Sequence, residues 1–370
     1  MRITQVEPIV LRLPKVTEAC DGTQDDLLIR IDTDEGLYGW GEVDTSPEVG
    51  RAVVEAPTSH AIARGLREIL LGRDPFDIEQ LWEQMYRKTI YFGRQAVVIH
   101  TMSGIDMALW DIVGKAAGKS VHKLLGGSYR DKARAYASVL MPETPAEAEK
   151  LARGFVEQGF TAMKFGWGPL GQDEGRDVEL VAAARAGAGD ADLMLDIGQA
   201  YRVKQAIRMA GRLEKYRLRW MEEPLPPDDY EGYKRLTSAV SIDIAAGEAE
   251  SGRRAFRKLI EECGIDVVQP DISRAGGLTE TRKIGVISHD ANIDLVPHAF
   301  KTGILLAACL HLIAALPNTE LLEYTMADSP IRKLLLAQPL SAVNGYVQVP
   351  EKPGLGIEVN PDVVAHYQVT

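Results

Sequence analysis

The sequence predicts an α/β barrel with an α+β unit ahead of it, and three observations carry that reading. From about residue 129 to 341, short β-type runs alternate with amphipathic stretches of ten to fifteen residues, the mark of a parallel sheet. Seven of those runs end on a polar or charged residue at near-constant spacing. The preceding 128 residues read differently, with strands first and helices after, the order of an α+β unit. Seven or eight βα units close into a barrel more readily than they stay an open sheet.

Taken in order, ITQVEPIVLRL and DDLLIRIDT alternate apolar and polar, and DTDEG turns the chain into LYGWGEV, so residues 1 to about 45 form an antiparallel meander. Between the first two runs lies PKVTEACDGTQ, a polar loop without periodicity. Residues 48 to 125 turn helical, as in VVIHTMSGIDMALWDIVGKAAG, and end at C-cap glycines in GKSVHKLLGG. The repeat then runs through EAEKLARGFVEQG, RDVELVAAARAGAG, RVKQAIRMAGRLEKY, YEGYKRLTSAV, RRAFRKLIEECG and TETRKIGVISHDA. After residue 342 it is lost, and NGYVQVPEKPGLGIEV is expected to return to the first domain. The expected division is therefore 1–128, 129–341 and 342–370.

The ends of the β-type runs carry the chemistry. TAMK ends at Lys164, LMLD at Asp196, RWME at Glu222, IAAGE at Glu248, VVQPD at Asp271, LVPH at His298 and LLE at Glu323. Successive gaps of 32, 26, 26, 23, 27 and 25 residues are each one βα unit. All strand C-termini of a barrel open on one face, so these groups converge there. One such carboxylate is commonly a helix N-cap; seven in register assemble a site. Asp196, Glu222 and Glu248 on consecutive strands suit a hard divalent cation such as Mg²⁺. Spacing leaves Glu223 open as an alternative to Glu222, because neighbours on a strand face opposite ways. His298 and Asp271 on adjacent strands make a carboxylate–imidazole pair fit for general-base work. Lys164 offsets the negative charge that three carboxylates and one dication leave.

Composition bounds the partners. A net charge of −11 argues against nucleic acid and anionic membrane surfaces. Cys20, Cys263 and Cys309 show neither zinc nor disulfide spacing, which points to reduced thiols and a cytoplasmic setting. The first residues lack the apolar centre of a signal peptide. Thr302 to Leu316 is too short to span a bilayer and reads as a buried helix.

With MLDIG, WMEEP, AAGE, VVQPDISRAGG, VPHAF and LLEYT together on one chain, the sequence resembles the enolase superfamily, mandelate racemase-like branch, over essentially its whole length. The resemblance implies a modified TIM barrel, (β/α)7β, with an N-terminal α+β capping domain. It implies Asp196, Glu222 and Glu248 as Mg²⁺ ligands, His298 with Asp271 as the base, and Glu323 as hydrogen-bond donor or acid at the substrate carboxylate. A Lys or His base with Mg²⁺-stabilised ene-diolate is the superfamily's general pattern. Two positions depart from it: Gly166 stands where a second strand lysine is common, and Gly198 where an asparagine is common. The first removes a second base opposite His298, and both glycines are expected to open room beside the metal. MKFGWGP resembles the acid-sugar dehydratases of the branch. The expected activity is thus dehydration of an aldonate or aldarate, with epimerase or lactone cycloisomerase as rivals inside the superfamily and a non-catalytic sugar-acid binder outside it. The expected partners are a small carboxylate substrate and further copies of the chain in a homo-oligomer.

Overall fold

The protein is described by a computed structural model covering residues 1–369. Strands β1 (Ile3–Arg12), β2 (Asp25–Thr33) and β3 (Tyr38–Val43) form an antiparallel sheet in that order. Its apolar face, with Ile29, Ile31 and Val43, shares a core with Ile105, Leu109 and Ile112 of the helix Val97–Ala117. That helix is long and apolar enough to cross a bilayer, yet 83% of its most apolar window is buried inside the fold. It is the central helix of the cap. Gly118, left-handed at its end, donates back to Gly114 O and Lys115 O and stops it.

Eight parallel strands follow: β4 (Lys132–Leu140), β5 (Ala162–Gly166), β6 (Asp192–Asp196), β7 (Leu218–Glu222), β8 (Asp243–Ala246), β9 (Val267–Val268), β10 (Asp294–Leu295) and β11 (Leu321–Thr325). Each ladders with its sequence neighbour from β4 to β10, and β11 pairs with β4. Among the described residues no ladder joins β10 to β11; Leu295 N–H donates to Asn318 O across that seam at 3.0 Å.

One buried cluster plugs the interior: Tyr136, Ala162, Met194, Trp220, Ala245, Val267, Val296 and Leu321, one residue from each successive strand or its immediate extension. Tyr136 and Trp220 meet edge-to-face, at 5.9 Å between centroids, and the alanines make room for them. Because side chains alternate along a strand, the next inward layer lies two residues on. That layer is Ser138, Lys164, Asp196, Glu222, Gly247, Gln269, His298 and Glu323. Hydrophobic floor and polar ceiling thus follow from one period.

Cap and barrel are joined by buried polar contacts. Glu42 at the end of β3 accepts from the N–H groups of Thr302 (3.0 Å) and Leu305 (2.7 Å), capping the helix Gly303–Ala315 from another part of the chain. Trp82 Nε1–H donates to Gly276 O at 2.9 Å. Beyond the barrel, β12 (Tyr346–Gln348) first adds antiparallel to β4, and only afterwards does the chain reach the cap, where Gln368 bridges Leu11.

Candidate active site

A cavity of about 470 Å³ opens over the C-terminal ends of the strands. Lys164, Asp196, Glu248, His298 and Glu323 line it, while Glu222 and Asp271, both buried, stand against these residues from behind. All seven groups read from the sequence therefore meet in one place.

Asp196, Glu222 and Glu248 each present an oxygen within 4.8 Å of the other two. Burial and then the charge of Glu222 push the Asp196 carboxyl well above the ordinary carboxylate range. Burial likewise raises Glu222, against the opposing pull of Lys164. Glu248 Oε2 is buried, without an aligned hydrogen bond, although His298 Nε2 lies 3.1 Å away. An all-oxygen donor set, mutual repulsion and an orphaned oxygen fit a hard divalent cation. Glu222 is held on both oxygens: Oε1 pairs with Lys164, and Oε2 accepts from Trp220 Nε1–H (3.0 Å) and Gln269 Nε2–H (2.8 Å).

Glu223 takes the other direction. Its φ of +34° swings the side chain out of the barrel axis, where it accepts from Gln199 Nε2–H (2.7 Å) and Gly247 N–H (3.3 Å). Burial, with Glu248 adding to it, raises its carboxyl to about 7. It is absent from the carboxylate triad.

His298 Nδ1–H donates to Asp271 Oδ2 at 2.6 Å, and Asp271 Oδ1 accepts from the Ser273 N–H at 2.6 Å. Asp271 is thereby locked in orientation and fixes the tautomer that leaves Nε2 facing the cavity. Burial lowers the imidazole's proton affinity, but Glu248, Glu323 and Asp271 outweigh it and raise the pKa to about 10. A cation held by the triad would offset the Glu248 part of that field.

Lys164 is buried, yet Glu222, Glu323, Tyr136 and Asp196 overcome the burial and hold it cationic, well above its ordinary value. Its ammonium is thereby held charged. Glu323 accepts at both oxygens, from Ser138 Oγ–H (2.6 Å) and Lys164 Nζ (3.0 Å) at Oε1, and from Ala299 N–H (2.8 Å) at Oε2. Against burial, Lys164 and then His298 pull its carboxyl down to about 2. In this arrangement it accepts, and donating to a substrate requires it to take up a proton first.

Gly166 lines the cavity, whereas Gly198 does not, and neither has room for a Cβ of its own. A Cβ at Gly166 would lie 2.6 Å from Asp196 Cβ, and one at Gly198, where φ is +58°, 2.7 Å from the Trp167 indole. At Gly198 the expected room is filled by Trp167. Trp167 (φ +54°) and Gln199 (φ +65°), both left-handed and both on the cavity wall, form a side of the site that the sequence did not announce. Over the mouth lie Ala19, Cys20, Asp21 and Gly22 of the long polar loop, whose base is tied down where Ser329 Oγ–H donates to Thr23 O at 2.7 Å. Arg274 bridges cap and barrel, 2.5 Å from Asp44 Oδ2 and 3.3 Å from Glu248 Oε1.

Residues 3–126 match the mandelate racemase/muconate lactonizing enzyme N-terminal domain, and residues 147–363 match the enolase C-terminal domain-like family. The chain belongs to the mandelate racemase/muconate lactonizing enzyme branch of the enolase superfamily. It is an enzyme of that superfamily, with the barrel and cap the family implies. Among its relatives is a D-galactarolactone cycloisomerase of Agrobacterium fabrum, 33% identical over 93% of this chain and 91% of the relative. A D-galactonate dehydratase of Variovorax paradoxus is 34% identical over 92% and 90%. The crystal structure of the 3,6-anhydro-D-galactonate cycloisomerase from Zobellia galactanivorans superposes with a TM-score of 0.90, at 34% identity and full coverage of both chains.

Proposed function

We propose that the protein is a Mg²⁺-dependent dehydratase of a sugar acid, yielding a 2-keto-3-deoxy acid. The observation that carries this reading is the packing of Gly166 on Asp196, which leaves no place for a second base across from His298. A racemase that works on both faces of a carbon needs two bases. One base that takes a proton and returns it to a leaving group suits elimination.

A divalent cation held by Asp196, Glu222 and Glu248 would draw charge from the substrate carboxylate and acidify the α-hydrogen. Lys164 adds fixed positive charge where the ene-diolate develops, preorganised by its carboxylate neighbours. His298 Nε2 takes the α-proton, with the Cα–H electron pair passing into the ene-diolate. The C3–O bond then breaks as the imidazolium returns that proton to the departing hydroxyl, which leaves as water, and the enol tautomerises to the ketone. Asp271 carries the imidazolium charge and keeps the ring in place. Glu323 orients Lys164 and, once protonated beside an incoming carboxylate, can donate to it. The loop over the mouth excludes water while these steps proceed.

The two cycloisomerase relatives favour a second reading, in which a ring is opened and no water is lost. Mass separates the two: a dehydration product is lighter than its substrate by one water, and an isomerisation product is not. The test is a panel of acid sugars and their lactones with Mg²⁺, followed by 2-keto acid detection and mass spectrometry. An open-chain acid should lose water, and chelator should abolish the reaction. Products of unchanged mass throughout would replace dehydratase with cycloisomerase.

A further inference from the structure

We infer that the substrate carries a single ionised carboxylate, so that the end of the site remote from the metal takes a hydroxyl-bearing or lactonised terminus and rejects a second carboxylate. The inference deepens the sugar-acid reading and rests on it.

Among the described residues lining the cavity, the only lysine or arginine side chains are Lys164 and Arg274. A dicarboxylate needs cationic charge at both ends, because a buried carboxylate without a partner loses more in desolvation than hydrogen bonds return. Lys164 stands at the metal end and is fully engaged there by Glu222, Glu323 and Asp196. Arg274 is committed as well. Its Nη2 lies 2.5 Å from Asp44 Oδ2, its Nη1 is 3.3 Å from both Glu248 Oε1 and the Glu248 carbonyl, and its Nε is 4.0 Å from Asp271 Oδ2. To meet a substrate carboxylate it would have to abandon Asp44, leaving that buried carboxylate with only Lys301, at 3.6 Å. Lys301 does not line the cavity; its Nζ is buried among Asp25, Asp26 and Asp44.

What the lid side offers instead is acceptors. Asp44 is held ionised, because Arg274 and then Lys301 more than offset its burial. Asp21 accepts from the Thr23 N–H (2.9 Å) and Oγ–H (2.6 Å) through Oδ1, and among the described residues no cation pairs with it. Gln199 and Trp167, also on the wall, are neutral. Carboxylates are good partners for sugar hydroxyls, which donate, and poor ones for a carboxylate, which cannot, and the Gln199 amide N–H is already given to Glu223 Oε2 at 2.7 Å. A lactone removes the second charge and passes the same filter. Like charges brought together disfavour the dicarboxylate, and a factor on the order of 100 in kcat/KM, about 2.7 kcal/mol, is expected between mono- and dicarboxylate.

The experiment compares aldonates of every C2–C5 configuration with the matching aldarates, in the presence of Mg²⁺, by 2-keto acid formation. Wild type should turn over at least one aldonate with kcat/KM about 100-fold above its aldarate counterpart. In Asp44→Asn, which removes a negative charge and frees Arg274, and in Asp21→Asn on the exposed loop, that ratio should fall about tenfold through faster aldarate turnover. An aldarate within tenfold of its aldonate in wild type overturns the inference while leaving the sugar-acid reading intact. So does a ratio that neither variant moves. If no member of either set yields a 2-keto acid, the sugar-acid reading itself fails and takes the inference with it.

Discussion

Replacing Gln269 by Leu tests how the barrel holds Glu222, a proposed metal ligand. Glu222 Oε2 accepts two hydrogen bonds from buried donors, Gln269 Nε2–H at 2.8 Å and Trp220 Nε1–H at 3.0 Å. Leucine keeps most of the volume and removes one donor to a charged acceptor, a loss of about 1.5–3 kcal/mol. The carboxylate keeps Lys164 on its other oxygen, so it is loosened in orientation rather than expelled. At about 1.4 kcal/mol per decade, the loss corresponds to a 10–100-fold weaker cation affinity, the usual size of such outer-sphere effects on metal sites. Mn²⁺ titration followed by electron paramagnetic resonance reads that affinity without substrate or turnover. Circular dichroism should show an unchanged fold, since Gln269 sits above the hydrophobic plug rather than in it. Wild-type Mn²⁺ affinity in a folded variant would refute the idea that Gln269 positions Glu222.

Two further outcomes follow from the packing. Gly166→Ala puts a Cβ 2.6 Å from Asp196 Cβ and 2.9 Å from Oδ2, so it should cost about 1–3 kcal/mol in urea denaturation and weaken Mn²⁺ binding together; full metal affinity would mean that Asp196 moves freely. His311 is fully buried, donates Nε2–H to Leu355 O at 3.0 Å and packs on His122, and burial lowers its pKa to about 4. Its proton is taken up first by the unfolded chain, so its stabilisation is present above about pH 6.5 and lost as pH falls toward 4, by about 3 kcal/mol for a shift of that size. The fall in stability between pH 7 and 4 should therefore be shallower in His311→Gln than in wild type, and equal slopes would contradict the assignment.

Much of this site was legible because titratable residues after apolar runs are conspicuous. The neutral members of the same layer were not. Ser138 and Gln269 lie two residues beyond Tyr136 and Val267, on the same inward face as Lys164 and Glu222, and counting by two from the plug would have found both. The same count from Trp220 selects Glu222 over Glu223. Short strands were harder: β9 and β10 have two residues each, so Asp271 and His298 sit on extensions held by an isolated bridge between them. Arg274 was visible in SRAGG, but its partner Asp44 is 230 residues away, a contact no local pattern encodes. Gly198 misled for a related reason. A missing side chain signals space only if nothing else occupies it, and at Gly198 the Trp167 indole does.

His298, tautomerically fixed by Asp271 at 2.6 Å, is the proposed sole base of the site. Proton NMR in D₂O, on an acid sugar that is turned over and on its unreactive epimer, measures this directly in wild type and in His298→Asn. Wild type should exchange the α-hydrogen on a single face. The variant, which keeps the size but not the titrating ring, should lose exchange by roughly 10²–10⁴-fold or more. Exchange that persists in the variant would make Lys164 the base and contradict the account.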